Sequence, residues 1–143
     1  MKRVVNSPET IDGLRVVQDS EEIYNALKNG ETIMHWEAGS SLFPILMHLE
    51  YCRIRPLEEN EEAQVGDAVF CSFHGQFFMV HRCIDKIRRG DRVWYKIGTT
   101  GNTVYGWTDE VHGIAYSTDV YQEWTDEMER EYQEAVAAEK SGN

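Results

Sequence analysis

The most constraining feature of this sequence is a series of short apolar runs in its middle, each separated from the next by a turn. Residues 67–73 and 77–84 flank His74-Gly75-Gln76, and a glycine between two such runs is typical of a β-hairpin. Residues 92–97 and 111–116 continue the series after further glycine-containing turns. The pattern predicts a strand-rich core.

Three shorter strand candidates precede this core. They lie at residues 14–17, after an Asp-Gly turn signal, and at residues 32–36 and 51–56. The last of them alternates apolar and polar residues, as expected for a strand with one solvated face.

A helix is predicted between the first two of these strands. Asp19 or Ser20 is a favourable N-cap, and Ile23, Ala26 and Leu27 have the i, i+3, i+4 spacing of a buried helix face. Gly30 is suited to end the helix in the left-handed conformation.

The hydrophobic period becomes helical again after residue 118. We expect an amphipathic helix over residues 119–139, capped by Thr118 or Asp119, with its apolar stripe facing the core. The stripe consists of Tyr121, Trp124, Met128, Tyr132 and Val136. The fold class is therefore α+β and mainly β, as a single domain over residues 1–143 with one helix near each end.

Charge and cysteine content narrow the function classes. The net charge of −11 argues against nucleic acid and anionic membrane as partners, because both need basic protein surface. The acidity serves either solubility or the binding of a basic partner. Three cysteines, with no apolar leader and no run of about 20 apolar residues, favour a soluble cytoplasmic protein with free thiols.

Two short motifs carry the candidate chemistry. Residues 39–44 read Gly-Ser-Ser-Leu-Phe-Pro and follow the strand at 32–36, and forty residues after Ser41 comes the sequence Val80-His81-Arg82. A serine and a histidine are the two groups needed for base-assisted acyl transfer. Taken alone, a serine in a tight turn or a histidine in a sheet more often has a structural role.

The order of the motifs resembles the signal peptidase I superfamily, which includes the LexA-type self-cleaving repressors. Gly39, Ser41, Leu42 and Pro44 match a Gly-x-Ser-Met-x-Pro box, with leucine in place of methionine. Four more elements follow in the family's order across residues 36–117. They are Gly66-Asp67 opening a strand, His81-Arg82 closing one, and two later glycine elements at 95–98 and 113–115.

The resemblance implies a LexA/signal-peptidase-like sheet domain and a serine peptidase. A histidine base is found in the branch that resembles endoplasmic-reticulum and archaeal enzymes. Ser41 would then be the nucleophile and His81 its general base. The amides around Ser41, together with Ser40 and Leu42, would bind the oxyanion and the substrate. The substrate would be an extended peptide, and no cofactor or metal would be needed.

The sequence departs from the family at the acidic residue. The usual Gly-Asp-Asn element reads Gly98-Thr99-Thr100 here, so we expect the next acid, Asp109, to orient His81. No segment resembles the membrane anchor of signal peptidases or the DNA-binding domain of the repressors.

Two alternatives stay open. Cys71, His74, His81 and Cys83 lie on one predicted hairpin and could bind zinc, although their spacing matches no common zinc motif. The fold could instead have lost its chemistry and act as an acidic protein-binding module or inhibitor, of the kind carried by phages and other mobile elements.

Overall fold

In a computed structural model that describes residues 1–141, the protein is mainly β, with 46% strand and 17% helix. The helices are α1 (Ser20–Lys28) and α2 (Asp126–Ser141). The strands are β1 (Lys2–Val4), β2 (Thr10–Ile11), β3 (Leu14–Arg15), β4 (Ile33–Trp36), β5 (Glu50–Pro56), β6 (Ala68–Phe73), β7 (Gln76–Arg89), β8 (Arg92–Gly98), β9 (Val104–Thr108) and β10 (Glu110–Gln122). No helix among these residues is long and apolar enough to cross a membrane.

One antiparallel sheet holds most of the strands. Its order is β4-β5-β10-β6-β7-β8-β9, and β1 adds to β10 in parallel. The central hairpins are those that the sequence predicts, β6–β7 around His74-Gly75 and β7–β8 around Gly90. Strands β2 and β3 form a separate small hairpin.

Strand β7 separates two apolar clusters, one on each face of the sheet. Val80 packs into the first cluster with Leu42 and Leu46. Cys83 packs into the second with Val69, because an odd spacing along a strand reverses the face. Burial on both faces explains why residues 67–73 read as a continuous apolar run.

Helix α1 forms as its sequence predicts. Asp19 is the N-cap, and its carboxylate accepts a hydrogen bond from the Glu22 amide. The residues Ile23, Ala26 and Leu27 are buried in the first apolar cluster. The helix therefore covers the face of the sheet that also receives the loop between β4 and β5.

The C-terminal helix exists, but its predicted start is wrong. Residues 119–122 belong to β10, and Thr118 caps no helix because its hydroxyl donates to the Tyr51 carbonyl. Thr125 accepts a hydrogen bond from the Met128 amide at the true start of α2. None of the five stripe residues is fully buried: Tyr132 is 49% exposed, and the other four are partly buried.

Two strands extend beyond their predictions. β7 continues through residues 85–89, which the sequence predicts to be part of a polar turn. β9 is absent from the sequence-based assignment, because Gly106 interrupts its apolar pattern and occupies a left-handed conformation with φ of 139°.

Candidate functional site

The Ser41 loop, residues 37–49, connects β4 to β5 and carries the predicted nucleophile. Leu42 and Leu46 are buried in the first apolar cluster and anchor the loop, which leaves Ser40 and Ser41 exposed. The Leu49 amide donates to the Glu37 carbonyl and closes the loop at its base. Apolar anchors below an exposed turn thus present the serine hydroxyls outward.

Two contacts hold the backbone of the Ser41 loop in place. The Thr100 amide and the Thr100 hydroxyl both donate to the Ser41 carbonyl, at 3.0 and 3.2 Å. The Gly39 amide donates to Nδ1 of His48 at 2.8 Å. The positive φ of Gly39, 118°, is a conformation that glycine adopts readily and other residues avoid.

Several amides of the loop remain available to a ligand. Among the described residues, the amides of Ser40, Ser41 and Leu42 donate no hydrogen bond. Amides on an exposed turn beside a nucleophile are the groups that stabilise an oxyanion.

A small pocket of about 30 Å³ lies between the Ser41 loop and the sheet. Its wall is mostly apolar with two carboxylates. The lining residues are Glu37, Ala38, Gly39, Ser41, Leu42, Leu46, Met47, Glu50, Cys52 and Val80. A second, shallower groove lies between Ser40 and Arg82. The two neighbours of His81 in β7, Val80 and Arg82, therefore each line a concavity with one of the two serines.

His81 lies in β7 opposite Val69, and its environment keeps it neutral. Its ring stacks on Tyr105 with centroids 4.6 Å apart, and its Nδ1 atom is buried without a hydrogen-bond partner. Burial lowers the pKa of His81 below its ordinary value, and the Glu37 carboxylate opposes that shift. A neutral imidazole with an unused nitrogen is the form that a general base requires.

Glu37 is the acidic group that acts electrostatically on His81. Its Oε1 lies 3.0 Å from Nε2 of His35, and Nδ1 of the same buried ring lies 2.9 Å from the Val17 carbonyl. This chain of contacts fixes the carboxylate at the edge of the pocket. Sequence reasoning missed Glu37, although the His-x-Glu spacing at the end of a strand predicts that the two side chains share a face.

The Ser41 hydroxyl and the His81 ring do not contact each other in the structure. Within residues 1–141, no hydrogen bond connects the Ser41 hydroxyl to the His81 ring. Alternation along β7 puts His81 on the face that carries Met79 and Cys83, whereas Val80 faces the pocket. Hydrogen bonds between catalytic groups are often long in proteins without substrate.

Asp109 does not reach His81. Its carboxylate pairs with the Arg92 guanidinium at 3.0 Å. It follows Thr108, which lies opposite Tyr95, and Tyr95 lies opposite Lys86, five residues beyond His81. A strand rises about 3.3 Å per residue, so Asp109, one residue further along than Thr108, lies about 20 Å away along the sheet. Neither sequence order nor residue type reveals this register, which the β7–β8 hairpin sets.

The residues considered for zinc do not assemble. No group of three or more histidine, cysteine, aspartate or glutamate side chains in the described part of the chain could hold a metal ion. The Cys71 and Cys83 thiols are buried in the second apolar cluster. Burial raises the pKa of Cys71 to about 12 and that of Cys83 to about 11, so both remain protonated.

A second serine–histidine pair was not predicted. The Ser72 hydroxyl donates to Glu110 at 2.7 Å and lies 2.8 Å from Nε2 of His112. The Gly75 amide donates to the same Glu110 oxygen, which ties the β6–β7 turn to β10. Because Ser72 is 1% exposed and gives its proton to a carboxylate, the arrangement is structural and not nucleophilic.

Glu50 is the other carboxylate of the pocket, and its hydrogen bonds are satisfied within the fold. It accepts from the Met47 amide, the Ser117 hydroxyl and the amides of Thr118 and Asp119. It therefore fastens the Ser41 loop to the irregular part of β10 and leaves Glu37 as the carboxylate available for chemistry.

Comparison with known proteins shows no family for this chain. No protein-family model, curated protein or solved structure matches this chain.

Proposed function

We propose that the protein is a serine hydrolase of the signal-peptidase/LexA-like type, acting on a peptide, with Ser41 as nucleophile and His81 as general base. Glu37, rather than Asp109, supplies the negative charge that stabilises protonated His81 during the reaction. The observation that carries the proposal is the buried Nδ1 of His81, which has no hydrogen-bond partner, while the Glu37 carboxylate that acts electrostatically on this ring lines a pocket together with Ser41.

An unpartnered buried nitrogen is costly to a fold. Leaving such a group unsatisfied costs about 1–3 kcal/mol, and a catalytic role is one explanation of such exceptions in native proteins. His81 also has a lowered pKa, so it is ready to accept a proton at neutral pH. Both properties are typical of a base that awaits its proton donor.

The second line of support is the Ser41 loop. Ser41 is exposed, its carbonyl is fixed by Thr100, and the amides of Ser41 and Leu42 are free to bind an oxyanion. The pocket wall beside Ser41 is largely apolar, and its volume of about 30 Å³ suits no more than a small apolar group of a substrate.

The test is covalent labelling with a serine-reactive fluorophosphonate, read by intact mass and by mapping the modified peptide. We expect one adduct, on Ser41, which is absent from the Ser41→Ala variant. Ser72→Ala is the matched control, because Ser72 has a histidine at 2.8 Å but is buried. It should label like the parent, provided that a thermal melt shows it folded. An adduct on Ser72, or none at all, would count against the proposal.

A second candidate is an acidic protein-binding module that keeps the fold without the chemistry. The observation that favours it is the lack of a hydrogen bond between Ser41 and His81, whose side chain lies on the face of β7 opposite the pocket-facing Val80. The net charge of −11 suits a basic partner. This candidate predicts no adduct on Ser41 and binding that is unchanged by Ser41→Ala.

A further inference from the structure

A groove of about 740 Å³, here called the Arg82 groove, lies beside the Ser41 loop. Its lining residues are Ser40, Phe43, Pro44, Ile45, Gly66, Arg82, Thr100 and Gly101. Its volume lies in the range of sites that bind ligands, whereas the pocket that Ser41 lines holds only about 30 Å³. Any ligand of the Ser41 loop larger than a small apolar group therefore has its room in the Arg82 groove.

Arg82 is the one charged residue among those that line the groove. Its side chain is half-buried, and within residues 1–141 it makes no ion pair and no hydrogen bond. A guanidinium presents a planar fork of N–H donors that matches a carboxylate in a bidentate pair. The groove thus contains a cation whose donors are available to a ligand.

The strands beside Arg82 bring no acidic side chain to it. In the ladders of β7, Ala68 lies opposite Arg82 on one side and Gly98 on the other. Ala68 packs into the first apolar cluster, so Arg82 projects from the face of the sheet that carries the Ser41 loop. Alternation turns Asp67 to the other face, where its carboxylate accepts from the Gln64 amide at 2.8 Å.

The local charge of the groove is opposite to the charge of the whole chain. The net charge is −11, but charges separated by more than about 8 Å of solvent are largely screened at physiological ionic strength. The nearby carboxylates of Glu37 and Glu50 belong to the wall of the smaller pocket and not to the groove. A ligand inside the groove therefore meets Arg82 as its nearest charge.

The Ser41 loop adds an apolar surface to the same groove. The Phe43 side chain is 53% exposed, and it lines the groove together with Pro44 and Ile45. Ser40 also lines the groove and directly precedes the proposed nucleophile in the chain. A peptide in the groove can therefore pair a carboxylate with Arg82 and place an apolar side chain on the loop that carries Ser41.

We propose that the Arg82 groove binds an aspartate or glutamate side chain of a peptide, next to an apolar side chain that packs on Phe43, Pro44 and Ile45. Arg82 is then the residue that determines substrate specificity. The inference deepens the proposed function and rests on it for cleavage, although not for binding. Because a substrate cut internally continues on both sides of the cleaved bond, a side chain and not the C-terminus supplies the carboxylate.

The first test is a selection from random 12-residue peptides on immobilised Ser41→Ala protein, which cannot cleave them. The peptides are fused through their C-terminal ends to a phage coat protein, so that every carboxylate in them except a terminal one is present. We expect enriched sequences with aspartate or glutamate beside an apolar residue. The same selection on Ser41→Ala/Arg82→Gln protein should lose the acidic residue.

A double-mutant cycle then assigns the carboxylate to Arg82. A synthetic copy of one selected peptide, amidated at its C-terminus, is compared with a copy that has glutamine in place of the acidic residue. Either this change or Arg82→Gln should weaken the Kd about tenfold, because a charged hydrogen-bonded pair is lost. The two changes together should weaken it no further than either alone.

Two further variants keep the test interpretable. Arg89→Gln is the matched control, because Arg89 is an exposed arginine of the same strand that lies outside the groove. Its Kd should stay within twofold of the parent. Phe43→Ser removes an exposed side chain without opening the core, and it should weaken the Kd about fivefold. Thermal melts show which variants are folded.

Three results would overturn the inference: no enriched peptide, enrichment of lysine and arginine as the net charge alone would favour, or equal Kd values for the acidic and the glutamine peptide. Losses in the cycle that simply add would also overturn it, because the carboxylate would then bind elsewhere. Binding of acidic peptides without an adduct on Ser41 would refute the proposed function alone. An adduct on Ser41 without selection of acidic peptides would refute this inference alone.

Discussion

Among single residues, Glu37 and Thr100 make the contacts that bear most directly on the proposed site. Glu37 supplies the negative charge near His81, and Thr100 fixes the carbonyl of Ser41 through two hydrogen bonds. Neither residue belongs to a motif that the sequence makes visible. Residue type and motif order predict Ser41 and His81 from the sequence. The choice between Asp109 and Glu37 could not be predicted, because it depends on strand register.

The pH dependence of labelling tests the role of Glu37. The Glu37 charge raises the pKa of His81 against the larger lowering by burial, so Glu37→Gln should lower that pKa further. Neutral His81 is the active form. The acid limb of the labelling rate, which lies below the ordinary histidine value of about 6.5, should therefore move to lower pH. Labelling rates measured from pH 4.5 to 8 locate this acid limb. Glu59→Gln is the control and should leave the limb at the parental pH. A limb that moves to higher pH in Glu37→Gln would refute the role.

Thr100→Val tests the positioning of Ser41. The variant removes the hydrogen bond that the Thr100 hydroxyl donates to the Ser41 carbonyl and keeps the one that the Thr100 amide donates. A hydrogen bond contributes about 1 kcal/mol, so labelling of Ser41 should slow about fivefold. The neighbouring Thr99→Val is the matched control and should label at the parental rate. Equal rates for both variants would show that the Thr100 hydroxyl does not position the nucleophile.

Among the helices and strands, sequence signals within a few residues predict those elements that form without distant partners. The cap at Asp19 and the stripe at Ile23, Ala26 and Leu27 define α1, because capping and periodicity act within a few residues. Local signals gave the wrong prediction at β10. Its residues 119–122 are in a strand because they pair with β1 and with Glu50. Such pairing is a tertiary effect that overrides the local period.

Helix α2 should contribute little to the stability of the sheet. Of residues 126–140, only Met128 and Val136 are partly buried, and the rest are exposed. A chain that ends at Thr125 should therefore lose no more than about 0.5 kcal/mol in urea unfolding, as for other surface changes. A loss above about 2 kcal/mol would mean that α2 packs on the sheet in solution. The shortened chain keeps Trp124, which contacts Trp36 and His48.

For the molecule as a whole, two buried imidazoles couple stability to pH. Burial lowers the pKa of both His81 and His112. The unfolded chain therefore binds protons near pH 6.5 that the folded protein does not, and stability falls as the pH drops through that value. The pKa of Glu61 is lowered to about 2 by its hydrogen bond with Arg55, so this pair adds to the loss only below about pH 4.5.

Urea unfolding at pH 7.5 and pH 5.5 measures this coupling. We expect lower stability at pH 5.5 in the parent and a smaller difference in the His81→Gln/His112→Gln double variant, which carries neither imidazole. Equal stability of the parent at the two pH values would contradict the neutral state assigned to both rings.

The central claim is that His81 activates Ser41, and its most direct test is the rate of fluorophosphonate labelling of His81→Gln relative to the parent at pH 7.5. General base catalysis contributes about 10²–10⁴-fold, so the second-order rate constant should fall at least a hundredfold while a thermal melt shows the variant folded. A rate constant within threefold of the parent would show that Ser41 reacts without His81, and the account of a Ser41–His81 hydrolase would be wrong.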